Sequence, residues 1–284
     1  MFYSIHESSV VGLTNLLYQL LIIVSIVVVK QFTHNSLIIV ATIYGLSNLI
    51  IGLVYSFIFF KRYPYLTPKI ALFDKNKTKD IMGIGLEFFI IQVSMIIIFT
   101  TDNIIITKLL GAKEVTSYNI MLRLFQVFIT IFSFLLIPFW PLYTEAFTRK
   151  DKRWIKKTLR NFNLLFLVIT LIVLIVLSKV DLLLNIWLGQ ELKYPKYLAL
   201  FCALFVLIRI YGDIYMCFLN GISKIRLQLC LYLIGAIANI PLSIYFVKDW
   251  GLGSSGVLLA TNICILPFII VLPIQTYKIL KSMD

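Results

Sequence analysis

Charge and catalytic chemistry are both scarce in this chain. Only 14% of its 284 residues are charged and 60% are hydrophobic, whereas a soluble domain carries about 25% charged residues. No Walker A loop occurs, so the chain does not itself drive a process with ATP. HExxH and GxSxG motifs are absent, as is a DxD-type acidic pair in a polar loop, which argues against a metal-using glycosyltransferase. His6 and His34 both fall outside the apolar runs and have no metal-ligating neighbours in sequence. Cys202, Cys217, Cys230 and Cys264 all lie within apolar stretches, with no CxxC or Cys/His spacing. That pattern excludes a disulfide framework and a zinc site, and leaves them as small apolar filler. The first apolar run lacks a basic n-region and a small-residue cleavage site, so no cleavable signal peptide is expected. Neither a cofactor nor an enzymatic activity is expected.

What the sequence has instead is length of apolar run. Mean hydropathy is +0.95, concentrated in eight stretches: Val11–Val29, Leu37–Phe60, Ile81–Thr107, Val115–Phe147, Leu159–Leu177, Tyr197–Asn220, Leu227–Val247 and Ser255–Tyr277. A helix crossing the hydrocarbon needs about 20 mainly apolar residues. In lipid every backbone amide must be satisfied, so spanning segments are helices or closed barrels. These runs are continuous and lack the in/out alternation of barrel strands. The expected fold is all-α, a polytopic membrane protein of eight transmembrane helices.

The net charge of +13 does not point to nucleic acid, because of where the cations lie. Seventeen basic residues fall on the side of the membrane that holds both termini, seven on the other, and Arg123 and Arg209 within spans. The positive-inside rule then puts both termini in the cytoplasm. The basic loops hold topology and touch anionic headgroups. The longest of them, Lys61–Lys79, carries Pro64 and Pro68 and reads as a linker between two bundles. Arg149–Arg160 mixes Trp154, Ile155 and Leu159 with its charges and reads as an interfacial amphipathic segment leading into span five. The outer loops are short, the longest running from Ser178 to Lys196, where Asp181–Gly189 can lie in the interface. Pro138 and Pro141 should kink span four, and Pro241, Pro267 and Pro273 spans seven and eight.

The polar minority inside the spans carries the functional signal. In span four Asn119, Arg123, Gln126, Thr130 and Ser133 recur at helical steps and share one face, which Trp140 and Thr144 continue. A charge at mid-membrane costs about 2.5–3.5 kcal/mol on insertion scales, so this stripe reads as the wall of a wet cavity; the alternative is a hydrogen-bonded helix seam. In span three Glu87, Ser94 and Thr101 are seven apart and Asp102 adjoins them. Asp102 either anchors the helix at the interface or serves an ion; Glu87 lies deeper and suits a cavity or ion role. Arg209 and Asp213 in span six are an i, i+4 pair that either neutralises itself or, with Cys202 and Asn220, continues the cavity wall. Gly45 and Gly52 in span two read as permitting close helix packing.

Several segments, in order and spacing, resemble a known family: FFIIQVSMIIIFTTDNIIITKLLGAKEVTSYNIMLRLF (Phe88–Phe125), FWPLYTEAFTRKDKRWIKKTLR (Phe139–Arg160), IWLG (Ile186–Gly189), FLNGISKIRLQ (Phe218–Gln228) and NIPLSIYFVKDWGLGSSGVLLAT (Asn239–Thr261). They are similar to the polysaccharide transporters that flip O-antigen and capsule repeat units, within the multidrug/oligosaccharidyl-lipid/polysaccharide exporter superfamily. The resemblance implies two six-helix lobes around a central, often cationic cavity that alternates between the two sides of a bacterial inner membrane. It implies an undecaprenyl-pyrophosphate-linked oligosaccharide as substrate, with polysaccharide polymerase machinery as a further partner beside the lipid bilayer. By position, spans one and two (residues 1–60) are the last two helices of a first lobe lacking its first four helices. Residues 61–79 are then the linker and 80–284 a complete second lobe.

Carried over in the same way, Arg123 is the first candidate phosphate contact, since guanidinium forks match phosphate oxygens, and Arg209 the second. Asn119, Gln126 and Gln92 are candidate sugar contacts. Glu87, Asp102 and Asp213 are candidates for a coupling cation or proton. Three alternatives stand beside this reading. A cation-coupled multidrug exporter of the same superfamily should have an acid-dominated cavity, a membrane glycan polymerase or ligase should have large outer loops, and the chain could be an inactive fragment.

Overall fold

The computed structural model describes residues 8–30, 37–69 and 74–283; His6 and His34 lie outside them. All the regular secondary structure among the described residues is helical, with no strand. Seven helical stretches are long and apolar enough to cross a membrane, and a shorter apolar stretch, Gly12–Val27, lies in the first helix. These correspond to the eight runs read from sequence.

The chain divides into two compact units, Met1–Thr78 and Lys79–Asp284. In the first unit, α1 (Ser8–Lys30) packs on α2 (Leu37–Arg62). Ile22, Ser47 and Phe59 are its buried residues among those described. Among the described residues nothing lies within 4 Å of where a Cβ would be at Gly45 or Gly52. The linker is shorter than its polarity suggests, because Pro64–Leu66 forms a 3-10 turn and α3 (Lys75–Leu110) begins before Lys79.

The second unit is organised around α8 (Leu198–Gly221), which packs against α4 (Ala112–Leu136), α5 (Phe139–Thr148), α6 (Lys152–Ser178), α10 (Ser254–Ile265) and α11 (Phe268–Lys281). Its sequence explains that place. Apart from Arg209, Asp213 and Asn220 it is apolar around its circumference, the pattern of a helix surrounded by protein. Residues on all its faces, from Leu198 to Gly221, are buried. By contrast α6 buries one stripe (Ile155, Leu159, Phe162, Val173) and leaves its other face exposed. The closest helix pair is α9 (Arg226–Lys248) with α10. Gly256 makes that contact possible, since a Cβ there would sit 3.0 Å from Phe246, as small residues do at membrane helix interfaces.

Two of the five prolines kink their spans to the point of interruption. Pro138 and Pro267 each stand at the N-cap of a new helix, separating α4 from α5 and α10 from α11. A proline there lacks the N–H that would continue the ladder. Pro241 and Pro273 remain inside continuous helices. The break at Pro138 ends the polar stripe of α4 early. Trp140 instead stacks on Phe88, with ring centroids 6.1 Å apart, and the Thr144 hydroxyl donates to the Gly221 carbonyl at 2.6 Å. The short α7 (Val180–Leu188) falls in the stretch that sequence marked as partly apolar, and ends on Gly189 in the left-handed conformation.

Candidate functional site

A cavity of about 250 Å³ opens within the second unit between α3, α4, α8 and α10. Its polar lining is Asp102, Tyr118, Gln126, Thr130, Arg209 and Thr261, and its apolar lining includes Phe99, Leu122 and Phe205.

Asp102 is the deepest acid in it, 3% exposed, so it is not the interfacial anchor that its place near the end of span three allowed. Tyr118 Oη donates to Asp102 Oδ2 at 2.7 Å. Thr261 Oγ1 lies 3.3 Å from both carboxylate oxygens. Thr261 in turn accepts from Asn239 Nδ2 at 2.9 Å, and Asn239 Oδ1 sits 3.4 Å from Thr101 Oγ1. Because Thr261 accepts from the Asn239 amide, its own proton can point at the carboxylate, as that of Tyr118 does, and the carboxylate acts as acceptor. Among the described residues Asp102 has no ion-pair partner. A buried carboxylate with neutral donors alone lacks the counter-charge that offsets its burial.

Arg209 sits on the same cavity wall but is held away from Asp102. Its Nη1 donates to Tyr232 Oη at 3.2 Å, its Nη2 lies 3.6 Å from Asp213 Oδ1, and its guanidinium carbon stands 5.1 Å from the centre of the Phe99 ring. The i, i+4 pair read from sequence is therefore formed, loosely, with both side chains 16% exposed. Glu87 is remote from this cluster: Arg226 Nε donates to its Oε1 at 3.1 Å from an exposed position on α9.

The α4 helix shows three faces. Met121, Phe125, Phe132 and Leu136 are buried, on α8 and its neighbours. Val127, Ile131, Phe134 and Leu135 form an exposed apolar face. Between them, at roughly a third of a turn from each, runs the stripe of Asn119, Arg123, Gln126, Thr130 and Ser133. Arg123, Gln126 and Thr130 are exposed, and Asn119 is half-buried, donating from Nδ2 to Asn103 Oδ1 at 3.0 Å. Gln126 and Thr130 reach the cavity, while Arg123 stands one turn before Gln126, outside the lining. Arg123 has no ion-pair partner among the described residues, and Gln92 on α3 is exposed.

Sequence reasoning named Asp102, Gln126 and Arg209, which the structure brings to one cavity. It missed Tyr118, Asn239, Thr261 and Tyr232. A polar residue within an apolar run was the available signal for Asn239; the hydroxyl residues carry none, since their role depends on which helix faces them.

One family model matches the chain, and the relatives and solved structures below are similar to it in sequence and in fold. The chain matches the MatE family over residues 88–245. It is 28% identical over 171 residues to a Yersinia pseudotuberculosis protein provisionally named an O-antigen export protein, covering 59% of this chain and 38% of that protein. Its fold is similar to that of a MATE point mutant (TM-score 0.73, 17% identity, 95% of this chain and 62% of that one). It is also similar to an outward-facing multidrug resistance MATE transporter of the MOP superfamily (TM-score 0.71, 17% identity, 98% and 64%). The chain thus spans less than two thirds of the length of each of these relatives.

Proposed function

The chain belongs to the MatE family of membrane transporters, and from that premise we propose that it takes part in flipping undecaprenyl-pyrophosphate-linked oligosaccharide repeat units across the bacterial inner membrane by alternating access. The observation that carries this reading is Arg123. It is an exposed arginine with no ion-pair partner among the described residues, near the middle of a spanning helix, on a polar face distinct from the apolar face beside it. Such a charge belongs against water or an anionic ligand, and a guanidinium fork suits a pyrophosphate. Gln126, Asn119 and Gln92 flank it with amide groups suited to sugar hydroxyls. The name of the Yersinia protein supports the same substrate class.

In this reading Asp102 is the coupling group. Its carboxylate, with Tyr118 and Thr261 already turned toward it, takes up a monovalent cation or a proton on one side of the membrane and releases it on the other. Asp102 is preferred over Glu87, which is engaged by Arg226, and over Asp213, which faces Arg209. The residues at 80–284 act as one lobe, the termini and basic loops face the cytoplasm, and polysaccharide polymerase machinery is the downstream partner.

The multidrug reading keeps one supporting observation, the fold likeness to multidrug transporters. Expression of the protein in a strain lacking its repeat-unit flippase separates the two. Restored surface polysaccharide, lost with Arg123→Ala, supports the flippase. Resistance to cationic drugs without polysaccharide, unaffected by Arg123→Ala, supports the exporter.

A further inference from the structure

The basic segment before span five is not a separate interfacial helix: it is the first turns of α6 itself, and its geometry makes it more than a topology signal. The helix has 27 residues, about 40 Å of length against about 30 Å of hydrocarbon, so its first turns reach into the headgroup layer. Arg153, Lys156, Lys157 and Arg160 fall at i, i+3, i+4 and i+7, share one face, and are all exposed. None has an ion-pair partner among the described residues. The nearby acids are spent elsewhere, Asp151 accepting from the Trp154 amide at 2.9 Å and Glu145 pairing with Arg149 at 2.6 Å. The opposite face is fixed to the lobe, with Ile155 and Leu159 buried and the Trp154 ring stacked on Phe139 at 6.4 Å. The cations are therefore presented on a rigid support.

The same face continues without a break into exposed Leu164, Leu167, Leu171, Leu174 and Ile175. A strip that is cationic for about two turns and then apolar for about three has the polarity profile of one lipid molecule, and not of an acidic protein, which would leave the apolar part uncovered. The cations extend over seven residues, about 10 Å along the axis. That length fits two phosphates joined through glycerol better than one compact pyrophosphate.

We propose that this face of α6 is a binding site for an anionic glycerophospholipid with two phosphates, seated with its headgroup on Arg153–Arg160 and its acyl chains along Leu164–Ile175. It does not depend on the identity of the transported substrate.

Native mass spectrometry of the full chain in detergent, titrated separately with cardiolipin, phosphatidylcholine and undecaprenyl phosphate, tests it. Cardiolipin should bind at least tenfold more tightly than phosphatidylcholine. The R153Q/K156Q/K157Q/R160Q variant should lose that preference while its thermal unfolding midpoint in lipid-free detergent is unchanged, and R153K/R160K should retain it. Equal binding of cardiolipin and phosphatidylcholine, or an unchanged preference in the folded quadruple variant, would overturn the proposal. Tighter binding of undecaprenyl phosphate than of cardiolipin would also overturn it, and would reassign the face to the substrate.

Discussion

Tyr118 donates to the carboxylate of Asp102 at 2.7 Å, joining α4 to α3 at the floor of the cavity. A phenol and a threonine hydroxyl turned toward one buried acid are the geometry on which the proposed coupling role of Asp102 rests. Asp102→Asn keeps the volume and removes the charge. It should cut cation- or proton-gradient-stimulated transport at least tenfold, with Tyr118→Phe giving a smaller loss. Substrate flux in proteoliposomes, driven in turn by a sodium and a proton gradient, measures both.

Arg123 should matter for binding and not for folding. It touches no partner whose loss would strand a buried group, so Arg123→Ala should move the thermal midpoint by little. Glycolipid affinity should fall at least tenfold, consistent with the roughly 1.5–3 kcal/mol of a hydrogen bond to a charged group. Arg123→Lys should restore the charge without the fork and recover only part of the loss. Paired measurements of unfolding and glycolipid affinity separate the two effects.

The pair of Arg209 and Asp213 predicts a different pattern. Removing one partner strands a poorly solvated charge, a cost of about 3–5 kcal/mol for a fully buried pair. At 3.6 Å and partial exposure the lower end applies. Asp213→Ala should therefore lower the thermal midpoint clearly, because Tyr232 and Phe99 leave the guanidinium in place. The double variant R209M/D213L should recover much of the loss. A double-mutant cycle on unfolding in detergent gives the coupling directly.

The sequence made the spans legible because bilayer thickness imposes a length of apolar run that nothing else explains. It made the α4 stripe legible for a similar reason, since five polar residues at helical spacing stand out against Leu, Ile and Phe. What it did not reveal depends on contacts between helices. Thr261 reaches Asp102 across 159 positions, and Arg226 reaches Glu87 across 139; neither spacing carries a periodicity. The prolines illustrate the same limit. All five sit in apolar runs, yet Pro138 and Pro267 stand at helix boundaries and Pro241 does not.

Gly221 is a tolerance point in the packing. A Cβ there would lie 2.9 Å from the Trp140 carbonyl oxygen and 3.2 Å from Tyr143 Cβ, with the Thr144 hydroxyl bonded to its own carbonyl. Gly221→Ala should push α5 from α8 and cost about 1–3 kcal/mol. Gly45→Ala, which meets nothing within 4 Å, should cost far less. Thermal unfolding of the two variants side by side checks this.

The central claim is that an arginine on the polar face of α4 selects an anionic glycolipid. The most direct measurement is the affinity of the purified chain for an undecaprenyl-pyrophosphate-linked oligosaccharide and for a cationic drug such as ethidium, in wild type and in Arg123→Glu. Glycolipid binding that the charge reversal abolishes is expected, with no gain from the drug's positive charge in wild type. Drug binding with no glycolipid binding in wild type, or glycolipid binding indifferent to the reversal, would contradict it.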